Sequence, residues 1–522
     1  MNRPLGSPLS VSLAEPYDGA LYSAAELPSA VERMVQAEGW RAALALETAH
    51  WDRLIGTDPE ALLAALKALP GEAYVEIPSL LVATNYLKHL IGDTDPRRFH
   101  DFAHDEPGRS SSERGPLDQL IGSAGRTAGL RTNGRLAEAL HQAKDGRRTL
   151  DELPAQERAL VQTAVPHLLT QWGRAFEVND AGGVREYEEA WELANLTGQP
   201  LAARRAAACL AWLHADHGEL QQADQWIDRA RSTTPVPRYD APLHLAAALT
   251  AIDRLDRAAM RHHLDELQQV PIGEYWAAEL WVRAWAAGTT QEAALVDKRV
   301  HAMLRRHPER LATGGSFQRY LAAASVRLAA TRGRPLPQSP ATPPTTLDRM
   351  VVASTGYLAG DMHVVLREAA PAAEDPVPRM RVTGLLLVAA ARFALGRIDG
   401  ASDAFTSAHA IIEDERFLSA YVVIDPQHLH GLAALTGLAV PETAQLHPTT
   451  AASSSSVVLA TLTRREREVL VLLASGLSLK GIATELYISL NTVKGVTSSL
   501  YRKLGVNSRR EAADFAHRAG LH

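Results

Sequence analysis

From about Ser23 to Gly437 the apolar positions of this chain recur with the period of a helix, in a background rich in Ala, Leu, Arg and Glu. Gly, Pro or Asp interrupts the pattern roughly every fifteen to twenty residues, and strand-like alternation is nearly absent. Such a pattern predicts short helices packed antiparallel. The last sixty or so residues break into four shorter helical segments. Thr463 and Glu466 have the spacing of a capping box, so a helix is expected from Arg464, with Val469, Leu470, Leu472 and Leu473 inward and Gly476 as its stop. Leu479, Ile482, Ala483 and Leu486 mark a second helix, and Tyr487 to Ser489 a turn. A third helix follows from about Leu490 to Leu504, capped by Ser489 or Asn491, with Val493, Val496, Leu500 and Leu504 facing inward. A fourth opens at Ser508 with Glu511 in capping-box position and ends at Gly520.

Within the long helical region a spacing returns. Gly218, Ala223, Ile227, Ala230 and Pro235 stand at offsets of 5, 9, 12 and 17 from the glycine. Gly396, Ala401, Phe405 and Ala408 repeat it, as do Gly360, Val365, Ala369 and Ala372, and, with larger residues, Gly182, Tyr187, Trp191 and Ala194. This resembles the second half of a tetratricopeptide repeat, in which small residues let two helices approach and a large one fills the neighbouring groove. The expected fold is all-α: a tetratricopeptide-like helical solenoid followed by a C-terminal four-helix domain. An irregular helical bundle is the other arrangement the incomplete repeats allow.

Proline, serine and glycine mark the breaks. Asp105 to Gly115 reads as a loop, Arg334 to Pro344 as an extended connector, and Pro441 to Ser456 as a tether with few apolar anchors. The resulting division is an N-terminal helical segment (1–104), two helical blocks (116–333 and 345–438), a linker (441–456) and a C-terminal domain (457–522).

The outward residues of the third C-terminal helix, Asn491, Thr492, Lys494, Gly495, Ser498 and Tyr501, are mostly small or polar. A recognition helix needs such a face, because bulk at its N-terminal end would keep it out of the major groove. Charge agrees. From Val457 onward ten basic residues stand against five acidic ones, about +5, so a chain of net charge −6 leaves about −11 on everything before. A basic module on an acidic body suits attraction to phosphate.

These segments resemble the C-terminal DNA-binding domain of the LuxR family of bacterial transcription regulators. The family's Leu-Thr-x-Arg-Glu-x-Glu-Val-Leu opening is matched at Leu462 to Leu470, its Gly-Leu-Ser loop at Gly476 to Ser478, its Ile-Ser-x-x-Thr-Val-Lys turn at Ile488 to Lys494 and its Lys-Leu-Gly-Val close at Lys503 to Val506. The resemblance covers about an eighth of the chain. It implies that Thr492 and the helix N-terminus anchor a phosphate and that Lys494 reaches base edges or the phosphate beside them, within a DNA-facing surface that includes Asn491, Gly495 and Ser498. Lys480, Arg502, Lys503 and Arg509 would make flanking contacts. Gly481, Val496 and Ser498 depart from the residues usual in the family, and Gly495 places a helix-weakening glycine inside the recognition helix.

A second resemblance lies near the N-terminus. Ala49 to Ile55, Asp58 to Leu63 and Ala65 to Pro70 look like the helical segment that follows the nucleotide-binding module of large MalT-like regulators, with that ATPase module lacking. No Gly-x-x-x-x-Gly-Lys-Ser/Thr occurs, and the nearest Gly-rich stretch, Gly122 to Thr127, has no lysine for phosphates. Neither an enzyme nor a bound cofactor is expected.

The single cysteine, Cys209, sits in a run of Ala and Leu and reads as a core thiol, consistent with a reducing cytoplasm. No secretion signal and no membrane-length apolar run is present, so a cytoplasmic location is expected. His214 with His217, and His262 with His263, lack the partners of a metal site and read as helix-surface histidines. Tyr275, Trp276, Trp281 and Trp285 lie close enough in sequence to line a ligand groove. The expected function is a transcription regulator whose helical body senses a small-molecule or protein effector and controls the helix-turn-helix. Double-stranded DNA is its partner, a homodimer the expected form on DNA, and RNA polymerase a further candidate. The alternative is a protein–protein scaffold with a weak or vestigial DNA-binding module.

Overall fold

The computed structural model describes residues 17, 19–77, 79–91, 116–306, 315–332, 346–442, 462–504, 506 and 508–518. The loop expected at 105–115, the whole connector at 334–344 and the tether from 443 onward lie outside these. Among the described residues the regular elements are helices, without a strand.

The first helices are α1 (Leu27–Glu38), α2 (Trp40–Leu54), α3 (Pro59–Lys67), α4 (Gly71–Glu76) and α5 (Ser79–Leu90). Their apolar faces meet in one cluster that includes Leu46, Trp51, Leu62, Leu66 and Leu80. Next come α6 (Pro116–Thr132), α7 (Leu136–Glu152), α8 (Ala155–Val161) and α9 (Val165–Val178), packed around Trp172 and Leu169. The Gly-rich stretch Gly122 to Thr127 is an internal part of α6, where its amides are committed to the helix.

The largest cluster joins α10 (Val184–Leu196), α11 (Pro200–His217), α12 (Leu220–Arg231), α13 (Ala241–Asp253), α14 (Arg257–Glu266), α15 (Trp276–Ala286), α16 (Thr290–Arg306) and α17 (Gly315–Arg332). A further one is built by α18 (Thr346–Ala359), α19 (Met362–Ala373), α20 (Pro378–Ala394), α21 (Ile398–Glu415) and α22 (Pro426–Thr436).

The repeated offsets explain these helix pairs. Gly218 ends α11 in the left-handed region (φ +81°), which reverses the chain into α12. Ala223, Ile227 and Ala230 then form the buried stripe of α12. Val365, Ala369 and Ala372 do the same on α19, Ala401, Phe405 and Ala408 on α21, and Tyr187 and Ala194 on α10, with Trp191 partly buried. Close approach is strict at Gly384, where a Cβ would lie 2.5 Å from the backbone nitrogen of Ala373 on α19.

Largely buried arginines tie helices together, some of them distant in sequence. Arg204 on α11 grips both oxygens of Asp240 (2.8 and 2.9 Å) and donates to the carbonyl of Thr233. Arg379 on α20 reaches across to α11 and α13: it donates to the carbonyls of Asp216 (2.8 Å) and Ala215 (2.7 Å) and to Asp253 Oδ2 (2.6 Å). Asp253 also accepts from Ser419 at 2.6 Å. Satisfied on several sides, such pairs specify how blocks dock, since removing one partner would strand a buried charge.

Two expectations are corrected here. His214 is buried, and its Nδ1 lies 2.5 Å from Glu219 Oε2, so it is an interior residue of the α11–α12 turn and not a helix-surface histidine. The four aromatics do not line one groove. Trp276 stacks on Phe317 (5.9 Å between centroids), Trp281 packs against Tyr320 and edge-on to Trp212, and Trp285 lies beneath the guanidinium of Arg327. Tyr275 and Trp281 share Trp212 as an edge-on neighbour, whereas Trp276, five residues and about 140° of helix rotation from Trp281, meets Phe317 instead. Cys209 is a buried free thiol, and burial pushes its pKa up.

Candidate nucleic-acid interface

The C-terminal module has four helices, α23 (Arg464–Ala474), α24 (Leu479–Glu485), α25 (Leu490–Leu504) and α26 (Arg509–Arg518). Their core is small: Leu462, Val469, Leu470, Leu473, Ile482, Val493, Leu500, Leu504, Ala512, Phe515 and Ala516.

Polar locks hold so small a core in register. The capping box at the start of α23 is complete: Thr463 Oγ1 accepts from the Glu466 amide (3.2 Å), and Glu466 Oε2 accepts from the Thr463 amide (2.7 Å). Glu466 also accepts from Ser499 Oγ and Lys503 Nζ, both at 2.8 Å, and so fixes the middle of α25 against the start of α23. Although burial opposes its ionised form, the hydrogen bonds from Lys503, the Thr463 amide and Ser499 hold the Glu466 carboxyl below its usual range. Ser478 caps α24 through the Gly481 amide (3.1 Å); Gly481 offers no side chain to return the bond.

The turn into α25 is made by Tyr487, left-handed at φ +53°, and Arg465 donates to the Leu486 carbonyl at its edge (2.8 Å). Ser489 then caps α25, its Oγ accepting from the Thr492 amide (3.1 Å) and lying 2.8 Å from Thr492 Oγ1. Ser489, not Asn491, is therefore the cap. The first turn of α25 presents free amide groups and hydroxyls at the positive end of the helix dipole, a suitable anchor for phosphate.

Along α25, Val493, Thr497, Leu500 and Leu504 are buried and Val496 partly so. Asn491, Thr492, Lys494, Gly495, Ser498 and Arg502 are exposed and share the opposite face. Lys480 on α24 is exposed as well. Tyr501 is partly buried against the core, so it does not belong to the outward set.

Two residues expected to make flanking contacts are also engaged within the module. Lys503 turns inward onto Glu466 because one residue past exposed Arg502 the helix has rotated by about 100°. Arg509 donates to the Leu477 carbonyl (2.7 Å), bracing the loop between α23 and α24. The exposed Arg510 beside it was not singled out by sequence reasoning; only its neighbour's packing reveals which of the two faces solvent.

Comparison with known proteins places this module. Residues 460–516 match the family described as bacterial regulatory proteins, luxR family. Over 60 residues the chain is 45% identical to the transcriptional regulatory protein LiaR of Bacillus subtilis, covering 12% of this chain and 28% of that protein. The probable transcriptional regulatory protein NarL of Mycobacterium tuberculosis is 48% identical over the same length and coverage. The probable HTH-type transcriptional regulator GfsR of Streptomyces halstedii is 47% identical over 51 residues, 10% of this chain and 21% of that protein. The chain thus spans about a quarter of the length of these relatives. Capping, core and exposed face agree with that likeness, and the C-terminal module is a luxR-type helix-turn-helix domain.

Proposed function

We propose that this protein is a transcription regulator in which the helical body senses an effector and controls how the luxR-type module engages double-stranded DNA. The observation that carries the reading is the exposed, slim and polar face of α25, with the Ser489 cap and Thr492 at its leading end. Thr492 would take a backbone phosphate, Lys494 a base edge or the adjacent phosphate, and Lys480 and Arg502 flanking phosphates. A homodimer on two half-sites is favoured, because one module of this size reaches few base pairs. Contact with RNA polymerase would follow from such placement.

Selection of bound fragments from genomic DNA by the full-length protein tests this. Enriched inverted half-sites are expected, with log K falling by about 0.9 for each phosphate neutralised as log salt rises. Lys494→Ala should relax the sequence preference, and Arg502→Ala should lower the salt slope by about 1 without changing preference. Equal affinity for selected sites and bulk DNA would instead favour the scaffold reading.

A further inference from the structure

A cavity of about 260 Å³ lies among α2, α5, α6, α9, α11 and α13, and none of its lining residues belongs to the helix-turn-helix core. That volume lies just under the range of roughly 300–1,000 Å³ usual for small-molecule pockets. Trp51, Ile55, Val82 and Ile121 give it an apolar wall.

Its charges do not balance. Arg131 donates to both oxygens of Glu274 (2.8 and 3.1 Å), Arg174 pairs with Glu177, and Arg238 donates to Glu60 at 3.1 Å. Arg205 differs. Its Nη1 donates to the hydroxyl of Tyr86 at 3.1 Å, and its guanidinium lies 5.0 Å from the ring centre of Tyr239. Both partners are neutral, and among the described residues no carboxylate comes within ion-pair distance of Arg205. The two tyrosine hydroxyls are 3.1 Å apart, so whichever donates to the other leaves one O–H free to donate elsewhere.

A second, independent observation concerns His167, which also lines the cavity: its Nε2 is buried with no partner at full hydrogen-bond geometry, the Gln199 side chain being the one neighbour that interacts with the ring. Burial, with the nearby charge of Arg205, holds the imidazole down at about 4, so it is neutral at pH 7 and can still make a hydrogen bond. A guanidinium with no carboxylate partner and an imidazole nitrogen with at best a weak one, beside an apolar wall, are costly unless something occupies the space. A single excess positive charge suits a monoanion better than a phosphate dianion, and the apolar wall requires a body to cover it.

We propose that this cavity binds a small monocarboxylic acid with an apolar body, its carboxylate held by Arg205 and the Tyr86–Tyr239 hydroxyl pair and its body against Trp51. His167 supplies a further hydrogen bond. The site deepens the sensor role proposed above, and rests on that role only for its consequence on DNA.

The test is calorimetry on the full-length protein without DNA, using 4-phenylbutyrate and decanoate, each beside its primary amide. At least one acid should bind one per chain, about tenfold or more tighter than its amide. Arg205→Gln should bring the acid down to the amide's affinity, while Arg205→Lys keeps part of the preference. Should Arg205→Gln fail to fold, Ala128→Leu, which fills the cavity and leaves the charge in place, should remove acid and amide binding together. Amides binding as well as acids, no saturable binding of either acid at millimolar concentration, or full acid binding by the filled variant would overturn the assignment. Acid binding that leaves DNA affinity unchanged upholds the site and counts against the sensor role alone.

Discussion

Each of the two regions buries a glutamate, and the pair have opposite surroundings. Glu47 on α2 is fully buried, and neither carboxylate oxygen has a hydrogen-bond partner; burial pushes its carboxyl up to about 8. Glu466 is nearly as inaccessible (5%), yet it accepts from Thr463, Ser499 and Lys503 and stays below its usual range. The helical body has apolar area enough to carry an unpartnered acid by keeping it protonated. The C-terminal module, with a core of a few side chains, uses its acid as a cross-brace.

Opposite pH responses follow, and the larger belongs to the body. In the unfolded chain Glu47 titrates near 4.5, whereas the folded carboxyl keeps its proton up to about 8. Between those values the folded state binds more protons, so stability falls as pH rises, by several kcal/mol across the window. Glu47→Gln should change little at pH 5 and raise the stability of the body by several kcal/mol at pH 9. Thermal unfolding at both pH values reads this, and an equal shift at both would assign the slope to another group.

For the module the sign reverses. The Glu466 carboxyl is depressed when folded, so its contribution is present above the unfolded value near 4.5 and lost as pH falls through the folded value. Glu466→Ala removes the cap, the Ser499 bond and the counter-charge of Lys503, and should destabilise the module by about 3 kcal/mol at pH 7. Hydrogen exchange should show lost protection across residues 462–518 with the body unchanged. Protection preserved in the variant would mean that the apolar core alone sets the angle of α25.

The same contrast explains what the sequence made legible. The caps of the module join residues three apart, Thr463 with Glu466 and Ser489 with Thr492, and short spacing is what a linear pattern records. The bond from Lys503 to Glu466 spans 37 residues, so Lys503 read as a surface base. In the body, the offsets of small residues were visible because each helix pair must satisfy them locally. The cavity was not: Tyr86 lies 119 residues from Arg205 and 153 from Tyr239, and Arg131 lies 143 from Glu274. Of the four aromatics grouped by proximity only Tyr275 lines it, since sequence distance says nothing about which way a helical ring points.

Backbone strain gives a smaller effect. Tyr487 holds a left-handed conformation with its side chain 95% exposed, so the ring contributes little packing to offset a cost of about 1 kcal/mol. Tyr487→Asn should stabilise the module by up to about that amount, read as a higher melting temperature of the module alone. If DNA affinity fell while stability rose, the exposed ring would be assigned to the DNA contact.

The smallest expected change separates stability from recognition at one position. Gly495 is exposed in the middle of α25, and a Cβ there would meet nothing within 4 Å. Gly495→Ala therefore introduces no clash and should stabilise the helix by about 0.5–1 kcal/mol through backbone entropy. The methyl, however, would stand on the face shared by Asn491, Lys494 and Ser498, where a duplex edge would have to approach. Weaker DNA binding together with higher stability is the expected result, because a glycine kept at an entropic cost on a recognition face permits close backbone approach. Tighter binding in the stabilised variant would show instead that helix order, not access, limits how α25 meets DNA.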